Sequence, residues 1–96
     1  MVTENEKKSA FFAKITGRVQ GVGFRYSAIR EANRLELYGW VRNTGSGDVE
    51  VWAEGQPEKL AQFGVWLRKG PQYAKIDSVT IEPAVPGSYT EFRVEY

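Results

Sequence analysis

Gly17-Arg18-Val19-Gln20-Gly21-Val22-Gly23-Phe24-Arg25 is the stretch on which the reading of this chain turns. Three of its residues are glycine, at positions 17, 21 and 23. Just before it, Phe11, Ala13 and Ile15 alternate with Lys14 and Thr16, which predicts a strand over residues 10–16 with one apolar face. Just after it, Phe24, Ala28, Ile29, Ala32 and Leu35 recur at helical spacing to about residue 36, with Arg30, Glu31 and Arg34 opposite. Glycine permits positive φ and lets another group approach the main chain closely. A glycine loop between a strand and a helix can turn successive N–H groups inward and form a concave anion seat. The helix start adds its own unpaired N–H groups and the positive end of its dipole. The stretch predicts a seat for a phosphate group.

Arg25 falls in the first turn of that helix. The dipole disfavours a cation there by about 0.3–1 kcal/mol, and an anion bound between the guanidinium and the loop reverses the sign. Arginine also offers a planar fork that matches two phosphoryl oxygens at once. The alternative is an ordinary surface arginine, packed along its stem or paired with a carboxylate such as Glu31. The glycine spacing is neither G-x-x-x-x-G-K-[ST] nor G-x-G-x-x-G, so taken by itself it also fits a tight connection.

Outward from the loop the pattern is regular. Residues 40–43 and 48–54 read as two strands of a hairpin around Thr44-Gly45-Ser46-Gly47. In the second of them Val49, Val51 and Ala53 face inward, while Glu50, Trp52 and Glu54 face out. Pro57 starts a second helix with Leu60, Phe63, Trp66 and Leu67 on its apolar side, and Gly70-Pro71 ends it. Gly64 lies inside this helix at a cost of about 1 kcal/mol against alanine, for which close packing is the one reason at hand. Residues 75–82 and 91–96 complete the set as strands, the last with Phe92, Val94 and Tyr96 on one face. Residues 1–9 are polar and read as a flexible leader before a single domain over residues 10–96.

The order β-α-β-β-α-β has one economical solution. Two helices bury their apolar sides on one face of an antiparallel sheet, and right-handed crossovers give a ferredoxin-like α+β sandwich of strand order 4-1-3-2. The short C-terminal fifth strand is expected at the free edge beside strand two. Strands one and two then run the same way, so the glycine loop and the end of strand two share one end of the sheet. They are separated by about two strand spacings of ~4.8 Å. The residue at the end of strand two is Asn43. As a strand-end asparagine it fits a turn cap next to Gly45. Its amide can also donate and accept at once, and so hold a water.

Composition narrows the chemistry. Thirteen basic against 12 acidic residues leave a net charge of +1, which makes no bulk electrostatic case for nucleic acid or an anionic membrane. There is no cysteine and no histidine, hence no thiolate, no imidazole base and no usual zinc ligand set. The absence of cysteine fits a reducing, cytoplasmic compartment. No apolar run reaches the roughly 18 residues that span a bilayer, and the N-terminus has no signal-peptide core.

The residues from Gly17 to Arg25, followed by Gly39-Trp40-Val41-Arg42-Asn43-Thr44 and Gly47-Asp48-Val49-Glu50-Val51, closely resemble the acylphosphatase family. Further matches are Phe63-x-x-Trp66-Leu67, Gly70-Pro71-x-x-Ala74 and Phe92-x-Val94-x-Tyr96, so the resemblance covers about residues 10–96 in order. It implies hydrolysis of a carboxyl–phosphate bond to carboxylate and inorganic phosphate, with no metal and no cofactor. It further implies that Arg25 binds the phosphoryl group and that Asn43 orients the attacking water. The main chain of Arg18, Val19, Gln20, Gly21, Val22 and Gly23 would cradle the phosphate, with no role for the Arg18 side chain. The partner is a small acyl phosphate, not nucleic acid or membrane, and the chain is expected to act as a monomer. Two other readings remain: an RNA-binding module of the same strand order, with Trp52 as its stacking aromatic, and an anion-binding or carbamoyl-phosphate-handling part of larger machinery.

Overall fold

The computed structural model describes residues 8–96. Most of the expected flexible leader, residues 1–7, lies outside the described residues, while Ser9 already belongs to the first strand. The elements are β1 (Ser9–Arg18), α1 (Phe24–Arg34), β2 (Tyr38–Asn43), β3 (Val49–Gly55), α2 (Pro57–Lys69), β4 (Lys75–Ala84) and β5 (Phe92–Val94). They form one sheet of order β4-β1-β3-β2-β5. The ferredoxin-like order 4-1-3-2 is as expected, and β5 occupies the edge beside β2.

The sheet is not wholly antiparallel. β5 runs parallel to β2, with Gly39 opposite Phe92 and Val41 opposite Val94. Register explains the direction. Ala84 pairs with Ala10, Ala10 with Glu54, and Glu54 with Tyr38, so the end of β4 and the start of β2 share one end of the sheet. A connection running straight across arrives beside the start of β2 and can continue only in the same direction.

Local chemistry sets most boundaries. α1 stops at Arg34, short of the expected residue 36, because Leu35 caps it and Glu36 takes a left-handed φ of 57°. β4 runs two residues beyond the expected residue 82, through Pro83; an edge strand tolerates proline because one row of its N–H groups needs no partner. β2 starts two residues earlier than the expected residue 40, and β5 is shorter than residues 91–96.

Both helices cover one face: α1 packs on β2 and β5, and α2 on β1, β3 and β4. Ala13, Ile15, Val41, Val49, Val51 and Ala53 supply the fully buried sheet side, and Ala28, Ala32, Phe63 and Leu67 the helix side. Phe63 organises this layer, stacked on Phe11 at 6.3 Å between ring centroids and edge-on to Phe92 at 5.8 Å. Such pairs contribute about 0.5–1.5 kcal/mol beyond burial itself. Gly64 has its reason here: a Cβ at that position would sit 3.3 Å from Ile81 Cδ1, so the glycine lets α2 lie close to β4.

The helix-free face departs from expectation at Glu54. The alternation of β3 places Glu54 on the wet side, yet it is only 1% exposed. The connection between β4 and β5 crosses this face as a strap and covers it. Gly87 N–H donates to Glu54 Oε1 at 2.8 Å, and the Trp52 indole N–H donates to the same oxygen at 3.0 Å. Tyr89 lies against Trp52 and accepts from the Trp40 indole at 3.2 Å. Trp52 is therefore packed under the strap rather than presented as a free stacking platform. Glu54→Ala leaves both donors without their acceptor and should cost about 1–3 kcal/mol of stability, read as a lower urea midpoint at unchanged slope.

Candidate active site

The phosphate-seat candidate begins where β1 is bent. A register shift between Thr16 and Gly17 marks a bulge, and Gly17 takes a φ of 124°. A Cβ there would lie 2.2 Å from the Lys75 carbonyl oxygen, so only glycine lets the two backbones pass this closely. The strand continues through Arg18, which pairs with Lys75. Gly17 and Arg18 are thus strand residues, contrary to the expected boundary at residue 16, and the free loop is residues 19–23. Val19 anchors it with a side chain 1% exposed in the core.

Gly23 sets the start of α1. It is the N-cap in the left-handed conformation, φ 77° and ψ 19°, which costs a residue bearing Cβ roughly 1–2 kcal/mol. No side chain caps this helix start, and its first turn holds no acidic residue. Among the described residues, no protein acceptor takes the N–H groups of Gly21, Val22 and Gly23. The first-turn amides of a helix have no intrahelical acceptor either. Donors and positive dipole are gathered at one place, with no acidic residue in the first turn to neutralise them.

Arg25 and Asn43 meet at that place. A cleft of about 270 Å³ is lined by Gly21 and Gly23 of the loop, Arg25 of α1, Asn43 of β2, and Val94 and Tyr96 of the C-terminal segment. Two of the simpler readings, Arg25 paired with Glu31 and Asn43 capping the turn, are not what the described contacts give. Glu31 does not pair with Arg25; Arg34 takes it, with Nε donating at 3.1 Å, and holds the Glu31 carboxyl below its ordinary range. Arg25 makes no ion pair or side-chain hydrogen bond among the described residues, and its guanidinium carbon lies 5.8 Å from the Tyr96 ring centroid.

Nor is Asn43 the turn cap. The β2–β3 turn is closed by Thr44 and Asp48: the Asp48 N–H donates to Thr44 Oγ1 at 3.1 Å and the Thr44 N–H to the Asp48 carbonyl at 2.9 Å. Asn43 pairs with Val49 through the backbone and leaves its half-buried side-chain amide unused by the turn.

The cradle residues play unequal parts. Gly21, Gly23 and the core-anchored Val19 reach the cleft, whereas Arg18, Gln20 and Val22 are not on its lining. Gln20 instead sends its side chain across to the β2–β3 turn, where Nε2 donates to the carbonyls of Thr44 and Asp48, both at 2.8 Å. That contact was not legible beforehand, because nothing local marks which carbonyls a glutamine will reach. Val94 and Tyr96 were also missed, although their shared face with Phe92 and the placing of the last strand beside β2 pointed there.

The family model described as Acylphosphatase matches residues 11–94 of this chain. The chain belongs to the acylphosphatase family. An acylphosphatase from Koribacter versatilis is 48% identical over 82 residues, covering 84% of this chain and 74% of that protein. The solved structure of an acylphosphatase from Coxiella burnetii superposes with a TM-score of 0.92 at 37% identity, covering 98% of this chain and 100% of that one. The crystal structure of acylphosphatase from Bacillus subtilis gives a TM-score of 0.89 at 32% identity, covering 92% and 99% of the two chains. This acylphosphatase-family chain is accordingly an enzyme, a hydrolase of small acyl phosphates. Among its described residues no helix is long and apolar enough to cross a membrane.

Proposed function

We propose that the cleft holds the phosphoryl group of an acyl phosphate between the loop amides and the Arg25 guanidinium, while the Asn43 amide holds the water that attacks phosphorus. The supporting observation is that Arg25 and Asn43, far apart in the chain, line one cleft, and neither side chain makes a hydrogen bond or ion pair among the described residues. The seat is the main chain of residues 18–23 together with the first turn of α1; Arg18 also closes the β1 ladder opposite Lys75, and its side chain takes no role.

The reaction asks little of such a site. The leaving group is a carboxylate whose conjugate acid has a pKa of about 4, so it departs without a general acid. The loose transition state spreads charge over three equatorial oxygens, which fixed N–H groups and a forked cation stabilise without reorganising. What remains is to hold a water in line with the breaking P–O bond. The Asn43 side chain does this by accepting one water hydrogen through its carbonyl oxygen. No Asp or Glu lines the cleft among the described residues, and the water's proton passes to a phosphoryl oxygen. Neither step uses a metal.

The test is release of phosphate from benzoyl phosphate with a chelator present. Unchanged turnover is the expected result. Turnover lost with the chelator and restored by a divalent cation would remove the metal-free part of the mechanism.

A further inference from the structure

Gln20 stands apart within the glycine loop: its side chain turns away from the cleft and ties the loop to the neighbouring hairpin. Its two acceptors, the carbonyls of Thr44 and Asp48, are the two ends of the β2–β3 turn. Both accept, so the amide must present its NH2 end, and both of that group's protons are used. Thr44 directly follows Asn43. Gln20 is itself held between Val19, fixed in the core, and Gly21, on the cleft lining. One side chain thus spans the two halves of the site.

We propose that the Gln20 side chain is a positioning group, a strut that sets the separation between the phosphate seat and the Asn43 amide without itself touching substrate. The inference rests on the proposed role of Asn43 in holding the water. Its physical basis is that seat and water holder come from elements with no other side-chain hydrogen bond between them among the described residues. In-line attack is sensitive to their spacing, since a misplacement of about 1 Å costs on the order of 10²-fold in rate. A strut made of two hydrogen bonds to main-chain carbonyls is stiffer than one, because the planar amide can neither twist nor slide without stretching one of them.

The test is a double-mutant cycle on the full chain. Gln20→Ala should lower kcat by about 10–100-fold, with little change in competitive inhibition by inorganic phosphate and with the fold intact by thermal melting. In an Asn43→Ala background the same change should cost almost nothing, since the residue it positions is gone. A residue that merely props up the loop would weaken kcat and phosphate inhibition together, and would do so equally in both backgrounds; that outcome overturns the strut.

Gln20→Glu supplies a second readout. At neutral pH its carboxylate faces two carbonyl oxygens and donates nothing. Those oxygens disfavour the charged form and raise its pKa, so the donor-competent neutral acid is populated below that raised value. The kcat of Gln20→Glu, relative to the wild-type chain at each pH, should recover as pH falls, and that of Gln20→Ala should not. Full activity in Gln20→Ala with a strongly impaired Asn43→Ala sinks the strut and leaves the reading of Asn43 standing. Full activity in Asn43→Ala sinks both.

Discussion

Arg25→Lys is expected to lose on the order of 10²–10³-fold in kcat/KM, the scale of removing one preorganised charge-stabilising donor, together with most of its affinity for phosphate. The charge is conserved in this substitution, so the loss isolates geometry. A guanidinium presents parallel N–H groups in a rigid fork that grips two phosphoryl oxygens, whereas an ammonium is a point charge on a flexible stem. The fold should survive, because Arg25 is half-buried and has no ion pair to lose among the described residues; surface changes of this kind stay within about ±0.5 kcal/mol. Benzoyl phosphate turnover, competitive inhibition by phosphate and a urea melt measure the three quantities. Near-normal turnover would mean that the loop amides suffice and that the arginine is no clamp.

Asn43→Ala should have a different signature. It removes the amide proposed to hold the water and leaves the seat whole, so kcat should fall on the order of 10²-fold while phosphate binds almost as before. An interaction made only as the reaction proceeds is lost from kcat, not from ground-state affinity. The β2–β3 hairpin should keep its form, since Thr44 and Asp48 close the turn without the Asn43 side chain. Parallel losses in turnover and in phosphate inhibition would move Asn43 into the phosphate seat.

Local patterns carried much of this architecture. Alternation at Phe11, Ala13 and Ile15 and helical spacing at Phe24, Ala28 and Ala32 give the same elements that the chain adopts, because each depends on a period written in neighbouring residues. The glycine loop was legible for the same reason: positive φ at Gly23 is a property of one backbone position. Placing Asn43 opposite the loop needed one further step, strand order, which the crossover rule supplied.

Where neighbours in the sequence do not decide, expectation and structure part. The alternation of β3 points Glu54 to solvent, and only the strap carrying Gly87 and Tyr89 buries it. A strand period reports which face a side chain takes, not what later covers that face.

The sequence by itself determined the element order, the strand arrangement of the four main strands, the glycine loop with Arg25 at the helix start, and the exclusion of thiol and imidazole chemistry. Each follows from residue type or from spacing along a few turns of chain. The tertiary structure alone decided the direction of β5, the burial of Glu54, and the reach of Gln20 to Thr44 and Asp48. These are choices among several available partners, and they are settled only when packing fixes which groups come within hydrogen-bonding distance.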